Sequence, residues 1–282
     1  MFKVLFCNII TLIFCWAQSA AQNDTIYLDK DASLVKKGEY YEEYAVIQNS
    51  SKTTLVNFYS PKGTLLRSCQ YETFNKDFNH RVLYGLSYYK YSESKQDSLI
   101  ACYTENMKNG AFYINYPDGN LNVCGFYKEN KLDGLLKQFY ENGKLKRIEY
   151  YKDNKPIQGK YLSSDSTELA YIPYYKPAEF KDGKDGLLHF IARNLYISNS
   201  LAKSMHENNQ NKVKVMTSVT IDATGYIKNY VILHSDNPLF DAACLATLKK
   251  MRKEPFTPGE IEGIPSQTEL PITFICYLPF CF

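Results

Sequence analysis

The sequence has little with which to build a catalytic or metal-binding centre. It holds one Trp, four scattered histidines (His80, His189, His206 and His234) and no CxxC pair. Zinc needs clustered Cys or His ligands, so no metal site is expected. GxSxG, HExxH, a phosphate-binding glycine loop and GxGxxG are all missing. No cofactor and no catalytic residues are expected, and the chain reads as a non-enzyme. His234-Ser235-Asp236 contains the residue types of a hydrolytic triad, but neighbours in sequence rarely reach that geometry. Placed between a strand and a helix, its Ser and Asp read as caps. An excess of charge is also lacking: 33 basic residues against 30 acidic give +3, and +2 once Lys3 is removed with a leader. Nucleic-acid binding normally needs a strongly basic face, so no nucleic-acid partner is expected. A charged content of 22% beside a hydrophobic content of 45% argues against a disordered chain.

What the chain does have is aromatic: 25 Tyr and 16 Phe in 282 residues. Amphipathic rings in such numbers suit β-sheets with one wet face. The only long apolar run is at the start. Lys3 is followed by Val4 to Ala17, broken only by Asn8 and Thr11, and Ser19-Ala20-Ala21 puts small residues at the −3 and −1 positions of a cut before Gln22. This is the layout of a secretory signal peptide, residues 1–21. As an uncleaved anchor, the run would span about 21 Å of a hydrocarbon layer about 30 Å thick. Retention of the leader, with inner-membrane association, is the alternative. Six cysteines follow the cut, and an even number in an exported chain permits disulfides. Cys276 and Cys281 are candidates for a small terminal loop through Leu278-Pro279. Cys102 and Cys124 are a second candidate pair, or else core residues.

The middle of the chain repeats. Gly85, Gly110, Gly134 and Gly159 recur at intervals of 25, 24 and 25, and Tyr91, Tyr116 and Tyr140 each lie six residues after the first three. Tyr103-Thr104-Glu105-Asn106 returns as Tyr127-Lys128-Glu129-Asn130 and Tyr151-Lys152-Asp153-Asn154 at intervals of 24. Asn109-Gly110, Asp118-Gly119, Asp133-Gly134 and Asn142-Gly143 are hairpin signals, because a type I′ turn needs positive φ at both central residues. Short aromatic strands lie between them, such as Ala111–Tyr116 and Leu135–Tyr140. The expected structure over residues 22–162 is a ladder of β-hairpins, each burying an apolar stripe against its neighbours. One period after Cys102 falls two residues from Cys124, so both should face the same side. The spacing of Gly, Tyr, Asn/Asp-Gly and Tyr-x-Glu/Asp-Asn between Gly85 and Gly159 resembles the bacterial variant of the MORN repeat. That resemblance implies interaction modules without catalytic residues.

Residues 163–176 read as a linker: polar Ser163 to Thr167, then Tyr174-Tyr175-Lys176-Pro177 in extended chain. Beyond it the pattern changes. Leu187, Leu188, Ile191 and Leu195 have helical spacing, and Val213–Ile221 alternates as a strand. Asp222–Gly225 makes a turn, and Tyr226–Leu233 returns. Asn237 can cap a helix with Pro238 at its first position, and Phe240, Cys244, Leu248 and Met251 form one stripe. That stripe makes Cys244 a core residue. Pro255 and Pro258 end the helix, and Gln267–Tyr277 closes as a strand. Residues 177–282 are thus expected to form a small two-layer α+β domain, in the order helix, hairpin, helix, strand.

These residues resemble the C-terminal domain of the TonB family. The resemblance is carried by Pro177-Ala178-Glu179-Phe180, Ile221-Asp222-Ala223-Thr224-Gly225-Tyr226-Ile227 and Asn237-Pro238-Leu239-Phe240-Asp241-Ala242-Ala243. Phe256-Thr257-Pro258-Gly259, Gly263-Ile264-Pro265 and Leu270-Pro271-Ile272-Thr273-Phe274 complete it. It implies a periplasmic, cell-envelope location and binding of outer-membrane receptors, or other envelope proteins, by strand addition beside the last strand. The edge so implied comprises Gln267, Thr268, Glu269, Leu270, Ile272, Thr273, Phe274 and Ile275, with Pro271 requiring only that its missing N–H point away from a ladder. A blunted or self-paired edge, as in a structural wall-associated protein, is the competing expectation. A short, cleavable leader and a repeat ladder in place of a proline-rich spacer separate this chain from an energy transducer. A transducer with an uncleaved anchor is the alternative to a periplasmic interaction protein.

Overall fold

The computed structural model describes residues 24–30, 32–75 and 81–278. The leader and Cys281 lie outside them. The first half is one antiparallel sheet: β1 (Asp24–Leu28), β2 (Leu34–Val35), β3 (Glu43–Asn49), β4 (Thr54–Tyr59), β5 (Leu65–Thr73), β6 (Val82–Lys90), β7 (Asp97–Thr104), β8 (Met107–Asn115), β9 (Leu121–Lys128), β10 (Lys131–Leu132), β11 (Gly134–Phe139), β12 (Leu145–Lys152), β13 (Lys155–Leu162) and β14 (Glu168–Leu169). From β3 to β14 the strands lie side by side in chain order, with β10 paired to β9 and β11 continuing the ladder from β9. The hairpin ladder expected from the repeats is present.

The repeat has a hydrogen-bonding basis. The Oδ1 of Asn106 accepts from the amide of Leu83 at 2.7 Å, and the amide of Asn106 donates to the Leu83 carbonyl at 3.1 Å. Asn130 does the same with Lys108 (2.7 and 2.9 Å), and Asn154 with Leu132 (2.6 and 2.9 Å). Each asparagine thus clasps the start of the preceding hairpin. The tyrosines tie each unit to the next: the hydroxyls of Tyr91, Tyr116 and Tyr140 donate to the carbonyls of Asn115, Phe139 and Leu162 at 2.7–2.8 Å.

The same clasps correct the turn assignment. Asp118-Gly119 and Asn142-Gly143 do lie in turns, but Asn109-Gly110 lies inside β8, and Gly134 opens β11. Three further hairpin turns are Glu105-Asn106, Glu129-Asn130 and Asp153-Asn154, in which both residues have positive φ, between 48° and 68°. Asn tolerates that conformation while its side chain makes the clasp, which Gly could not. Gly110 serves elsewhere. Its φ is 115°, a Cβ there would lie 3.1 Å from that of Cys102, and the β7–β8 register shifts at this point. It marks a bulge in a strand rather than the end of one.

Two apolar clusters lie on one face of this sheet, one around Ile47, Val56, Phe58 and Tyr71, the other around Ala101, Phe112, Val123, Leu136 and Tyr151. Tyr174 and Tyr175 pack against the second. Residues 163–176, expected as a linker, are thus held to the ladder. Arg147 donates to the Ile172 carbonyl at 2.7 Å, and Glu149 accepts from the Tyr174 amide at 3.0 Å. Tyr151 and Tyr175 exchange hydroxyl and backbone bonds of 3.2 and 2.9 Å. Arg147 and Glu149 are 1% and 0% exposed and pair at 3.3 Å. A charge buried so completely persists only when paired and bonded.

The second half comprises β15 (Tyr175–Lys176), β16 (Glu179–Phe180), α1 (Gly183–Asn194), α2 (Asn199–Glu207), β17 (Lys212–Ile221), β18 (Ile227–Ser235), α3 (Pro238–Met251), β19 (Phe256–Thr257), β20 (Glu260–Ile261), β21 (Ile264–Pro265) and β22 (Thr268–Tyr277). A three-stranded sheet in the order β18-β17-β22 carries the helices on one face, and β15-β20-β21 and β16-β19 form small pairings beside it. The Asn237 side chain caps α3 by accepting from the Leu239 amide, and Phe240, Cys244, Leu248 and Met251 are all fully buried, as their stripe predicts. Helix α2 was not expected. Ser198 caps it by accepting from the Leu201 amide, and only Leu201 and Met205 are buried, too short a stripe to stand out among polar neighbours.

An Asn154→Gly variant tests the clasp with the backbone conformation kept, since Gly tolerates the φ of 68° found there. It leaves the buried Leu132 amide without its side-chain acceptor. The expected cost is about 1–3 kcal/mol, read as a lowered urea midpoint with faster exchange of the Leu132 amide. An unchanged midpoint would show that the clasp is dispensable.

Candidate functional site: the outer edge of the last strand

Strands β17 and β22 pair without a bulge from Lys212–Tyr277 to Ile221–Thr268, whereas the β17–β18 register shifts twice. Three bonds fix which way the β22 backbone faces. The Leu278 amide donates to the Asn211 carbonyl at 3.1 Å, and the Thr217 hydroxyl donates to the Ile272 carbonyl at 3.0 Å. On the opposite side, the Tyr175 hydroxyl donates to the Glu269 carbonyl at 3.3 Å. In an antiparallel pair the backbone groups alternate, so even-numbered residues of β22 bond to β17. Glu269, Pro271, Thr273, Ile275 and Tyr277 turn their backbone groups outward. Pro271 therefore stands where no ladder donor is lost.

Two other edges, those of β18 and β13, are partly covered or blunted. On β18, the carbonyls of Lys228 and Leu233 accept from Arg252 (2.9 Å) and Asn106 (3.3 Å). Strand β13, paired to β14 only at Tyr161 and Leu162, carries Lys155, Pro156 and Lys160, devices that discourage edge pairing. Strand β22 has neither lysine nor bulge. Among the described residues, the ladder reaches β22 at its beginning: Lys108 Nζ lies 3.2 Å from a Glu269 carboxylate oxygen, beside the Tyr175 bond to the same residue. Burial keeps the Tyr175 phenol above its ordinary pKa, so it remains a donor. For Lys108, burial favours the neutral amine, but the charge of Glu269 and the adjacent Tyr127 and Tyr103 outweigh it and raise the pKa.

A second contact seats the ladder against this domain. Glu262, in the turn between β20 and β21, accepts from Gln138 at 2.6 Å and from Lys146 at 2.5 Å, and lies 3.4 Å from Arg147. Burial of this carboxyl opposes its ionisation. The bonds from Lys146 and Gln138, with the charge of Arg147, outweigh that and hold it below its ordinary 4.5. The Asp222–Gly225 hairpin is positioned by a close approach: a Cβ on Gly225, whose φ is 86°, would lie 2.2 Å from the Phe256 carbonyl.

The candidate edge residues divide by parity. Thr268, Leu270, Ile272 and Phe274 direct side chains to the helical side, where Ile272 and Phe274 enter the core, and their backbones bond to β17. Thr273 and Ile275 face outward with Glu269, while Gln267 precedes the strand and accepts from Lys228 at 3.0 Å. Tyr277 lay beyond the candidate range and shares the open edge. Its signal was the alternation of the strand continued past Cys276. Lys108 and Tyr175 carried no sequence signal, because only the fold brings them to Glu269. Cys102 and Cys124 are unbridged thiols on the ladder face away from the buried clusters, with β8 between their strands. Cys276 is a free thiol whose pKa burial raises. His234 Nε2 lies 2.7 Å from Asp236, whose other oxygen accepts from the Lys214 amide at 2.8 Å, so this trio ties the end of β18 to β17.

The depressed Glu262 value gives the docking of the two halves a sign with pH. Its contribution is complete above about pH 4.5 and is lost as pH falls through the lower folded value. Urea midpoints of the parent should fall between about pH 6 and pH 3 by more than those of Glu262→Gln. At neutral pH that variant should be the less stable. Equal pH dependence in both proteins would remove Glu262 from the interface account.

Residues 204–276 match the family model of the Gram-negative bacterial TonB protein C-terminal, and residues 132–153 match that of the MORN repeat variant. The first match runs from within α2 to Cys276, one residue before the end of β22, and the second runs from the last residue of β10 through all of β11 and β12. No curated protein matches the chain. Among the described residues, no helix is long and apolar enough to cross a membrane. The chain carries a C-terminal domain of the TonB type, a non-enzymatic and envelope-associated kind of domain, with MORN-variant repeats on its N-terminal side.

Proposed function

We propose that this is a periplasmic, non-enzymatic interaction protein whose C-terminal domain, residues 177–282, captures a segment of an outer-membrane receptor as an added strand along β22. Residues 22–162 then form a separate repeat platform, joined to it through 163–176. The observation that carries the reading is the unbulged β22 edge, which has no backbone partner at Thr273, Ile275 and Tyr277 among the described residues, while the β18 edge is partly covered and β13 carries lysines and a proline. Unpaired backbone groups in a row are a template for a partner strand, and side chains then tune the choice.

The ladder supports a second contact. Its outer face exposes Tyr113, Phe126, Leu135 and Tyr150. Two shallow hollows on that face share Leu135: one takes in Cys124 and Phe126, the other Ile148 and Tyr150, one 24-residue period later. Apolar surface repeated at the period of the fold is suited to a partner that crosses several hairpins.

The test is titration calorimetry of the mature chain with N-terminal segments of outer-membrane receptors. Micromolar binding is expected. Thr273→Pro removes an outward N–H without breaking the β17 ladder, and binding should weaken about tenfold or more. Thr273→Ala, which keeps the N–H, should bind as the parent does. No binding by the folded parent, or equal binding by the proline variant, would sink the proposal. Sequencing of the mature N-terminus separates it from a transducer, which must keep residues 1–21.

A further inference from the structure

Resting on the reading of the ladder as a repeat platform, we infer that its outer face receives a proline-rich, acid-bearing segment in the polyproline II conformation. The segment lies across strands β8 to β13, one turn to each hairpin.

The spacing of the face sets the conformation. Strand register places Tyr113, Cys124, Lys137, Ile148 and Lys160 in one row across β8, β9, β11, β12 and β13. The row continues to Ile100 on β7 and Tyr88 on β6. Beside it, Phe126 and Tyr150 stand two strands apart and are 52% and 47% exposed. The hollow around Cys124 and Phe126 and the hollow around Ile148 and Tyr150 therefore repeat one another, displaced by two strands. Two strand spacings are about 9.4–9.8 Å. One turn of polyproline II is three residues of about 3.1 Å, or about 9.3 Å, so every third residue falls into a hollow. A β-strand returns to one face every ~6.7 Å, and two turns of α-helix take ~10.8 Å. Neither keeps step with the hollows.

The chemistry of the face sets the composition. A sheet presents side chains on its face and spends its backbone groups on its ladder. An ordinary extended chain laid there would lose water from its N–H groups without regaining bonds, whereas proline has no N–H to lose. Its ring packs on aromatic side chains, and its fixed φ lowers the cost of ordering. The exposed hydroxyls of Tyr113 and Tyr150 have no partner among the described residues and can donate to the carbonyls of such a segment. The charges in the row are positive. Lys137 forms no ion pair with any described residue, and Lys160 meets Glu168 in an exposed pair at 3.0 Å. Glu149, the one acid lining either hollow, turns its carboxylate to the opposite face, where Arg147 and the Tyr174 amide hold it. Lys137 and Lys160 stand two strands apart, so carboxylates one turn apart on the segment meet both. A second copy of this chain would instead set the same cations against each other.

The experiment is titration calorimetry of the full mature chain with nine-residue peptides. Three repeats of Asp-Pro-Pro should bind about tenfold more tightly than three repeats of Asp-Gly-Ser, which keep the charge without the conformation. Replacing Asp by Lys should weaken binding about two- to tenfold, in a step that shrinks at high salt. An alternating Asp-Pro peptide, whose acids fall out of step with the hollows, should bind less tightly than the triplet. Lys137→Glu should reverse the charge preference. Leu135→Asp, at the wall shared by both hollows, should abolish binding, and both variants should keep the parent's urea midpoint. Thr273→Pro, altered only on β22, should bind these peptides as the parent does. Equal binding of the proline and glycine peptides, or of the triplet and alternating peptides, overturns the inference, as does a charge preference unmoved by Lys137→Glu. Vesicles of phosphatidylethanolamine with phosphatidylglycerol, and sedimentation of the chain alone, test the other occupants. If Leu135→Asp abolishes vesicle binding or self-association while the proline peptide fails to bind, the platform stands and the inference falls. If no probe binds in a manner that depends on Leu135, the platform reading falls with it.

Discussion

A sheet ends in a row of N–H and C=O groups that must find partners in water, in the protein or in another chain. Most features of this molecule follow from how each edge meets that requirement. Within the ladder, asparagines at 24-residue intervals accept from an amide near the start of the preceding hairpin, and tyrosine hydroxyls reach carbonyls of the next. The sequence period is thus a period of backbone satisfaction, and the apolar stripe rides on it. Where the ladder stops, β13 is guarded by Lys155, Pro156 and Lys160. In the C-terminal sheet, Arg252 and Asn106 cap two carbonyls of β18, those of Lys228 and Leu233. Among the described residues, the far end of β22 has no such partner, and its register is unbulged.

The two halves are joined through polar contacts. Glu262 gathers Gln138 and Lys146 and approaches Arg147, which in turn bonds the strap at Ile172, while Glu149 accepts from Tyr174. The strap then carries Tyr175 to the Glu269 carbonyl. A chain of bonds therefore runs from the buried Arg147–Glu149 pair to the edge of β22. The ladder and strap thereby cover the Glu269 end of that edge.

Much of this was legible in the sequence. The repeat period announced the ladder, Asn237-Pro238 and the stripe from Phe240 to Met251 announced α3, and the alternation of Val213–Ile221 announced β17. What the sequence hid depends on contacts between distant residues. Asn109-Gly110 carries a hairpin signal, yet the fold uses that glycine for a bulge against Cys102 and gives the turn to Glu105-Asn106, whose asparagine makes the clasp. Helix α2 buries only Leu201 and Met205, too few residues to mark a period. The parity of β22 was half visible in Pro271, whose missing N–H must point outward. The covering of Glu269 was invisible, because Lys108 and Tyr175 lie 161 and 94 residues away in sequence.

The measurement that tests the central claim most directly is amide hydrogen exchange along β22, residue by residue. The account predicts alternation: Ile272, Phe274 and Cys276 protected by β17, with Thr273, Ile275 and Tyr277 exchanging fast. Adding a bound receptor segment should slow the second set and leave the first unchanged. Uniform protection of residues 272–277 in the free chain would mean that the edge is already paired, and would contradict the account.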